Sequence, residues 1–195
     1  MTAPDGGSGG IGTFALTPLL PATAALAALY ALIAAPLLFA DGVDLKFVVL
    51  SCPLAGALAL LSAIDLREYR LPDVLTLPLA GLGLVATPVL LAASPAWQLV
   101  SALLGFALMA GIGFAYHRLR GVPGLGLGDA KLLAAAGAWL GAQALPSVLL
   151  WACAAAIIAI LIRGWRTRSL SARTRVPFGP FLAFGTWLVW LYGPL

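Results

Sequence analysis

Long apolar runs, separated by short polar or Gly/Pro-rich breaks, make up most of this chain. A helix that crosses a bilayer needs about 20 mostly apolar residues. The runs predict seven helices, near 15–40, 46–64, 74–92, 98–117, 130–144, 147–163 and 178–194, the fifth being short. Breaks at Asp41-Gly42, Leu71-Pro72-Asp73, Ser94-Pro95, the Gly/Pro-rich run 121–128, Leu145-Pro146 and Pro177 to Pro180 agree with these cuts. Pro78 and Pro88 fall inside the third run, where bends are expected because neighbouring helices re-satisfy the freed carbonyls. Residues 1–13, Gly-rich and with little to bury, predict a mobile tail. One membrane-embedded domain over 14–195 follows it. No Lys or Arg precedes the first run, so it lacks the basic flank of a secretory signal and reads as a retained helix.

Composition narrows the class. The 195 residues are 62% hydrophobic and 9% charged, with a mean hydropathy of +1.05. Soluble domains carry roughly 45–50% apolar and about 25% charged residues. An ordinary soluble globule and a disordered chain are both excluded. The excess lies in Ala, Leu and Gly, which favours apolar helices over a β-barrel, whose alternating strands leave a weaker signal. The predicted fold is an all-α polytopic membrane helix bundle. Cys52 and Cys153 lie in apolar runs and no CxxC occurs, which excludes a zinc knuckle or redox pair. Both cysteines are expected to be buried in apolar packing.

The basic residues then orient the bundle. If seven helices alternate, Arg67, Arg70, Arg118, Arg120, Lys131, Arg163, Arg166, Arg168, Arg173 and Arg175 fall on one side, and only Lys46 on the other. The side richer in Lys and Arg is cytoplasmic. The N-terminus is therefore expected inside and the C-terminus outside. Removing one helix from the count would scatter the ten. The Arg-rich stretch 163–175 reads as a juxtamembrane loop that touches anionic lipid rather than nucleic acid.

Of the seven acids, Asp5, Asp41 and Asp44 belong to a tail or outer loop and read as solvated. Asp65, Glu68, Asp73 and Asp129 lie on the basic side. Asp65 and Asp129 stand at the ends of apolar runs, where an unpaired charge costs a few kcal/mol or more, so an ionisable group is a functional candidate. Each has a structural alternative. Asp73, after Pro72, is placed to N-cap the third helix, and Asp129 to N-cap the fifth. Asp65 stands at the C-terminal end of the second helix, where the macrodipole disfavours an anion. That placement implies a purpose or a partner such as Arg67 or Arg70. A catalytic pair, a polar helix contact and an ion path are the readings left open. Gly121, Gly124, Gly126 and Gly128 permit a backbone that side chains would block, which lets an extended substrate approach closely; a simple flexible turn is the alternative. GxGD alone is a weak motif.

Taken together the motifs are more specific. Ile64-Asp65, five residues, Leu71-Pro72-Asp73 and then Leu75-Thr76-Leu77-Pro78-Leu79 resembles the first motif of type IV prepilin peptidases. Gly126-Leu127-Gly128-Asp129-Ala130-Lys131-Leu132-Leu133, followed by Gly137-Ala138-Trp139-Leu140-Gly141, resembles their second. Pro177-Phe178-Gly179-Pro180-Phe181 is similar to a stretch near their C-terminus. The resemblance covers about residues 50–190. It implies that Asp65 and Asp129 are the catalytic pair on the cytoplasmic face of a bacterial inner membrane. It implies as substrates the prepilins and pseudopilins, cut after a small residue that precedes a hydrophobic helix, with removal of a basic leader. Many members carry two CxxC pairs in a cytoplasmic domain after the first helix and methylate the new N-terminus. Here only Asp41 to Lys46 separates the first two helices, so the resemblance points to a short, peptidase-only form with no metal and no cofactor.

Two facing carboxylates cannot both be charged cheaply, so they share a proton. The ionised one takes a proton from water, and the protonated one donates to the scissile carbonyl oxygen. Helix dipoles place the proton on Asp65 and the charge on Asp129. Glu68 and Asp73 are expected to attract a basic leader, with a solvated Glu68 paired to Arg67 or Arg70 as the alternative. Gly126 and Gly128 support the approach of substrate. Lys131 balances the acids or snorkels to the interface. Trp97, Tyr116, Trp139 and Tyr192 read as interfacial anchors. Two rivals remain: a presenilin-like intramembrane protease, although its first aspartate lies in a YD pair and here the pair is Ile64-Asp65, and a small transporter with acids on a proton path.

Overall fold

The computed structural model describes residues 19–38, 44–121, 126–167 and 176–195. Among them run seven α-helices in the predicted order: α1 (Leu20–Leu38), α2 (Leu45–Glu68), α3 (Asp73–Leu91), α4 (Pro95–Arg120), α5 (Leu127–Leu140), α6 (Leu145–Thr167) and α7 (Gly179–Tyr192), with a 3₁₀ turn at Ala142–Ala144 before α6. The tail expected over 1–13, residues 122–125 of the Gly-rich run, and Arg168, Arg173 and Arg175 lie outside the described residues.

Helix ends follow local chemistry. The Asp44 carboxylate accepts the Lys46 N–H at the start of α2. Pro95 occupies the first turn of α4, where its missing N–H is harmless, and the Ser94 hydroxyl accepts from Trp97 N–H. Gly121 (φ 69) closes α4 and Gly141 (φ 84) closes α5, both in conformations that favour glycine. Two ends differ from the expected ones in a way that matters. Helix α2 continues one turn past 64, because the Tyr69 N–H returns to the Asp65 carbonyl. Helix α5 begins at Leu127 rather than 130, with Gly126 as its N-cap. Pro78 and Pro88 sit within a single continuous α3.

Four segments are long and apolar enough to cross a membrane: Leu45–Glu68, Asp73–Leu91, Pro95–Arg120 and Ala142–Arg166. The molecule is a polytopic all-α membrane protein. Helix α5 has 14 residues, about 21 Å of rise, less than the roughly 30 Å hydrocarbon core. It lies instead at the centre of the bundle, against α3, α4 and α7. Ala130, Leu132, Leu133 and Ala135 to Trp139 are all buried. A helix that is apolar all round is a core helix.

Small residues let the helices approach α5. Gly105 of α4 faces the Leu133 carbonyl, and Gly137 of α5 faces the Ser101 carbonyl. The two crossings also show that α4 and α5 run antiparallel. Gly83 of α3 leaves room for the Trp139 ring. Trp139 is therefore no interfacial anchor. It is buried, its Nε1–H donates to the Leu79 carbonyl at 2.8 Å, and it packs edge-on to Trp190 at 5.5 Å. A buried indole needs such a partner. Trp97, Tyr116 and Tyr192 are exposed. Cys52 and Cys153 are exposed too, contrary to expectation. On a membrane bundle the outer face is itself apolar, so a hydrophobic run does not tell core from lipid-facing positions.

Candidate active site

Four helix ends converge at one end of the bundle. They are the last turn of α2 with Asp65, the start of α3 with Asp73, the start of α5 with Gly126 to Lys131, and the start of α7 with Gly179. Residues 114 positions apart in the chain meet here.

Asp65 is buried, with 5% of its surface exposed. Its partner is neither Arg67 nor Arg70, which are both exposed. The Gly179 N–H donates to Asp65 Oδ2 at 3.0 Å. The reason lies in α7. Phe178, its N-cap residue, makes no side-chain cap, and Pro180 lacks an N–H. The Gly179 donor would be orphaned without an acceptor from elsewhere. The positive end of α7 thus offsets the negative end of α2 at the Asp65 carboxylate.

Asp129 is the third residue of α5 and not its N-cap. Its N–H donates to the Gly126 carbonyl at 3.1 Å, and its carboxylate accepts the Gly126 N–H in return. This is the reciprocal pairing of a capping box, with glycine in the place of Ser or Thr. Burial first, and the Asp65 charge second, push the Asp129 carboxyl up to about 6, while the Gly126 N–H holds it back. The two acids, on separate helices, are near enough for one to bias the other.

Helix dipoles of α2 and α5 favour the proton on Asp65, while the start of α7 adds a donor to Asp65 and burial favours a proton on Asp129.

Leu71 wedges between the two helix starts. A Cβ on Gly128 would stand 2.9 Å from Leu71 Cβ, and one on Gly179 would stand 3.2 Å from Leu71 Cδ1. Glycine at 128 is thus required by space. Gly126 is exposed, and a Cβ there would meet only Gly128 N at 3.8 Å and Asp129 Oδ2 at 3.9 Å.

Asp73 does not N-cap α3. Pro72 takes that place with no side-chain cap, and Asp73 is the first helical residue. Its carboxylate is paired with Lys131 Nζ at 2.5 Å, joining the starts of α3 and α5. Lys131 therefore neutralises Asp73 rather than snorkelling to the interface. Glu68 is exposed in the last turn of α2 and makes no ion pair among the described residues. No group of three His, Cys, Asp or Glu side chains able to hold a metal occurs among the described residues.

Sequence reasoning singled out both acids but assigned no role to Gly179 or Leu71. The available signal was the Gly179-Pro180 step at a helix start, a pattern that leaves an N–H in need of an acceptor. Nothing along the chain says that the acceptor is Asp65.

Comparison with known proteins identifies the family. Residues 52–161 match the family model described as the type IV leader peptidase family, and both acids lie within the match. The prepilin leader peptidase/N-methyltransferase of Burkholderia pseudomallei (strain 1026b) is 44% identical over 132 residues, 68% of this chain and 42% of that protein. The protein of the same description from Pseudomonas aeruginosa is 40% identical over 147 residues, 71% of this chain and 50% of that one. That from Xanthomonas campestris pv. campestris is 39% identical over 150 residues, 75% and 49% of the two chains. The chain spans about half the length of the curated relatives it matches. No solved structure matches it. With more than half of its residues inside one family model, the chain belongs to the type IV leader peptidase family.

Proposed function

We propose that this protein is a membrane aspartic endopeptidase that removes the basic leader of prepilins or prepilin-like proteins. Asp65 and Asp129 are its catalytic residues. The observation that carries the reading is their convergence from α2 and α5 at one end of the bundle, where the charge of one acts on the other. Asp65, held by Gly179, takes a proton from a water molecule. The resulting hydroxide attacks the scissile carbonyl carbon, and the proton of Asp129 passes to the carbonyl oxygen as negative charge develops. Collapse of the tetrahedral species breaks the C–N bond. The proton on Asp65 goes to the leaving amine, and the proton on the oxygen returns to Asp129. No covalent intermediate is required.

The bundle lies in the inner membrane with this end in the cytoplasm, because Arg67, Arg70, Arg118, Arg120 and Lys131 all belong to it. Its partners are the prepilin substrate and membrane lipid, and nucleic acid has no part. A substrate leader rich in Lys and Arg meets Glu68 as an uncompensated acid, since Asp73 is neutralised by Lys131. Glu68→Gln raises KM for a basic-leader substrate about two- to fivefold at low salt and leaves kcat unchanged, as expected for an exposed charge pair worth up to about 1 kcal/mol. Steady-state kinetics at two ionic strengths check this.

The test of the function is cleavage of a prepilin by the purified protein in detergent, with the products mapped by mass spectrometry. A cut at the junction of the leader and the hydrophobic helix supports the reading. No cleavage, or a cut inside the helix, overturns it. The pH dependence is also specified. Asp129 must carry its proton and Asp65 must be ionised, so kcat/KM is bell-shaped, its alkaline limb falling as pH rises through about 6 and its acid limb falling where Asp65 takes a proton. A pH–rate profile of the free enzyme locates both limbs.

A further inference from the structure

We infer that Gly179 is a positioning residue: the first turn of α7 orients the Asp65 carboxylate through the Gly179 N–H, and only glycine leaves the carboxylate room to sit there. The inference rests on the peptidase reading for its consequence and on geometry for its contact. A Cβ built on Gly179 would stand 2.6 Å from Asp65 Oδ2 and 3.0 Å from Asp65 Cγ. Gly179 is not among the residues with positive φ. Its backbone conformation is therefore open to any residue, and space is what requires glycine.

The arm that carries this donor is rigid. Gly185 packs on the Val148 backbone of α6. Trp187 Nε1–H donates to the Tyr30 carbonyl at 3.0 Å, and Trp190 Nε1–H to Ser51 Oγ at 2.8 Å. Helix α7 is thus tied to α1, α2 and α6 along its length, and Leu71 spaces its start from that of α5. A donor on a locked element holds an acid at a productive angle far better than a loop does. Among the described residues the charged groups around Asp65 are few. Helices α1 and α7 bring none, α5 brings Asp129, and α3 brings Asp73, already paired with Lys131. Arg67 and Glu68 of α2 itself are exposed. Among the described residues, the Gly179 N–H is the hydrogen-bond donor that holds the Asp65 carboxylate.

The experiment uses the full chain in detergent and a prepilin-derived substrate. Gly179→Ala lowers kcat about 100-fold while KM stays within about twofold, the pattern of a misplaced reacting group. A second measurement needs no variant at 179. In protein labelled with ¹⁵N-glycine, the Gly179 amide resonance moves as the acid pair is titrated, and Asp65→Asn abolishes the movement. An unchanged kcat in Gly179→Ala, or a Gly179 amide indifferent to Asp65→Asn, overturns the inference. A wild-type protein that cleaves nothing sinks the peptidase reading instead, and the amide measurement still decides the contact.

Discussion

Asp65→Asn and Asp129→Asn each lose leader cleavage by about 10³–10⁴-fold, the range expected when a general acid or base is removed. The double variant loses little more than either single one, because the two groups act as a unit. A carboxamide cannot accept the proton of water, and it cannot supply a mobile proton to the carbonyl. Stability separates this loss from unfolding. The Asp129 carboxyl lies at about 6, above its ordinary value of 3.8, so the folded protein holds that proton more tightly than the unfolded chain. The contribution is favourable at low pH and is lost as pH rises between those two values. At pH 8 the folded protein bears the cost of an ionised, partly buried acid. Asp129→Asn removes that cost, so its unfolding midpoint at pH 8 lies above that of the wild type while cleavage is lost. Thermal unfolding at pH 8 beside a cleavage assay reads both. An inactive Asp129→Asn protein that is also less stable than the wild type would deny the acid its place in the pair.

The second large effect comes from a residue without chemistry. Gly137→Leu prevents the bundle from assembling. A Cβ at 137 already meets the Ser101 backbone, within 2.7 Å of its carbonyl carbon and 3.1 Å of Ala102 N. Neither can move without shifting α4. Ser101 is itself tied down, donating to the Trp97 carbonyl at 2.6 Å and accepting the Ala142 N–H at 2.8 Å. Close approach through small residues is how membrane helices gain packing and cross-helix contacts. Overpacking a tight site costs about 1–3 kcal/mol for small additions, so Gly137→Ala yields a folded protein with a lower unfolding midpoint. It also loses activity, because Asp129 rides on the same helix and a displacement of about 1 Å at a reacting group costs on the order of 100-fold. Gly111→Ala in α4 is the control, since a Cβ there meets nothing within 4 Å. Size-exclusion elution and thermal unfolding of the three variants check the prediction. Equal behaviour of Gly137→Leu and Gly111→Ala would count against the crossing.

The number of helices, their order and their approximate bounds were legible in the sequence, because hydropathy and the residues that end helices act over a few neighbouring positions. Asp65 and Asp129 stand out there as acids where an apolar run stops, which is also a local property. Local signals failed where the answer depends on residues far apart in the chain. Trp139 was placed at the interface when it is the buried centre of a crossing with Leu79 and Trp190. The cysteines were assigned to the core although they face outward, since core and lipid-facing positions have the same polarity. Asp73 has the local pattern of a cap, yet it is held by Lys131, 58 residues away. Dipoles of α2 and α5 can be read along the chain, but the donor to Asp65 starts α7, and only the packed bundle brings Gly179 to it. Polarity and helix ends are properties of neighbours in the chain, whereas partnership between buried polar groups is decided by which backbones can approach one another.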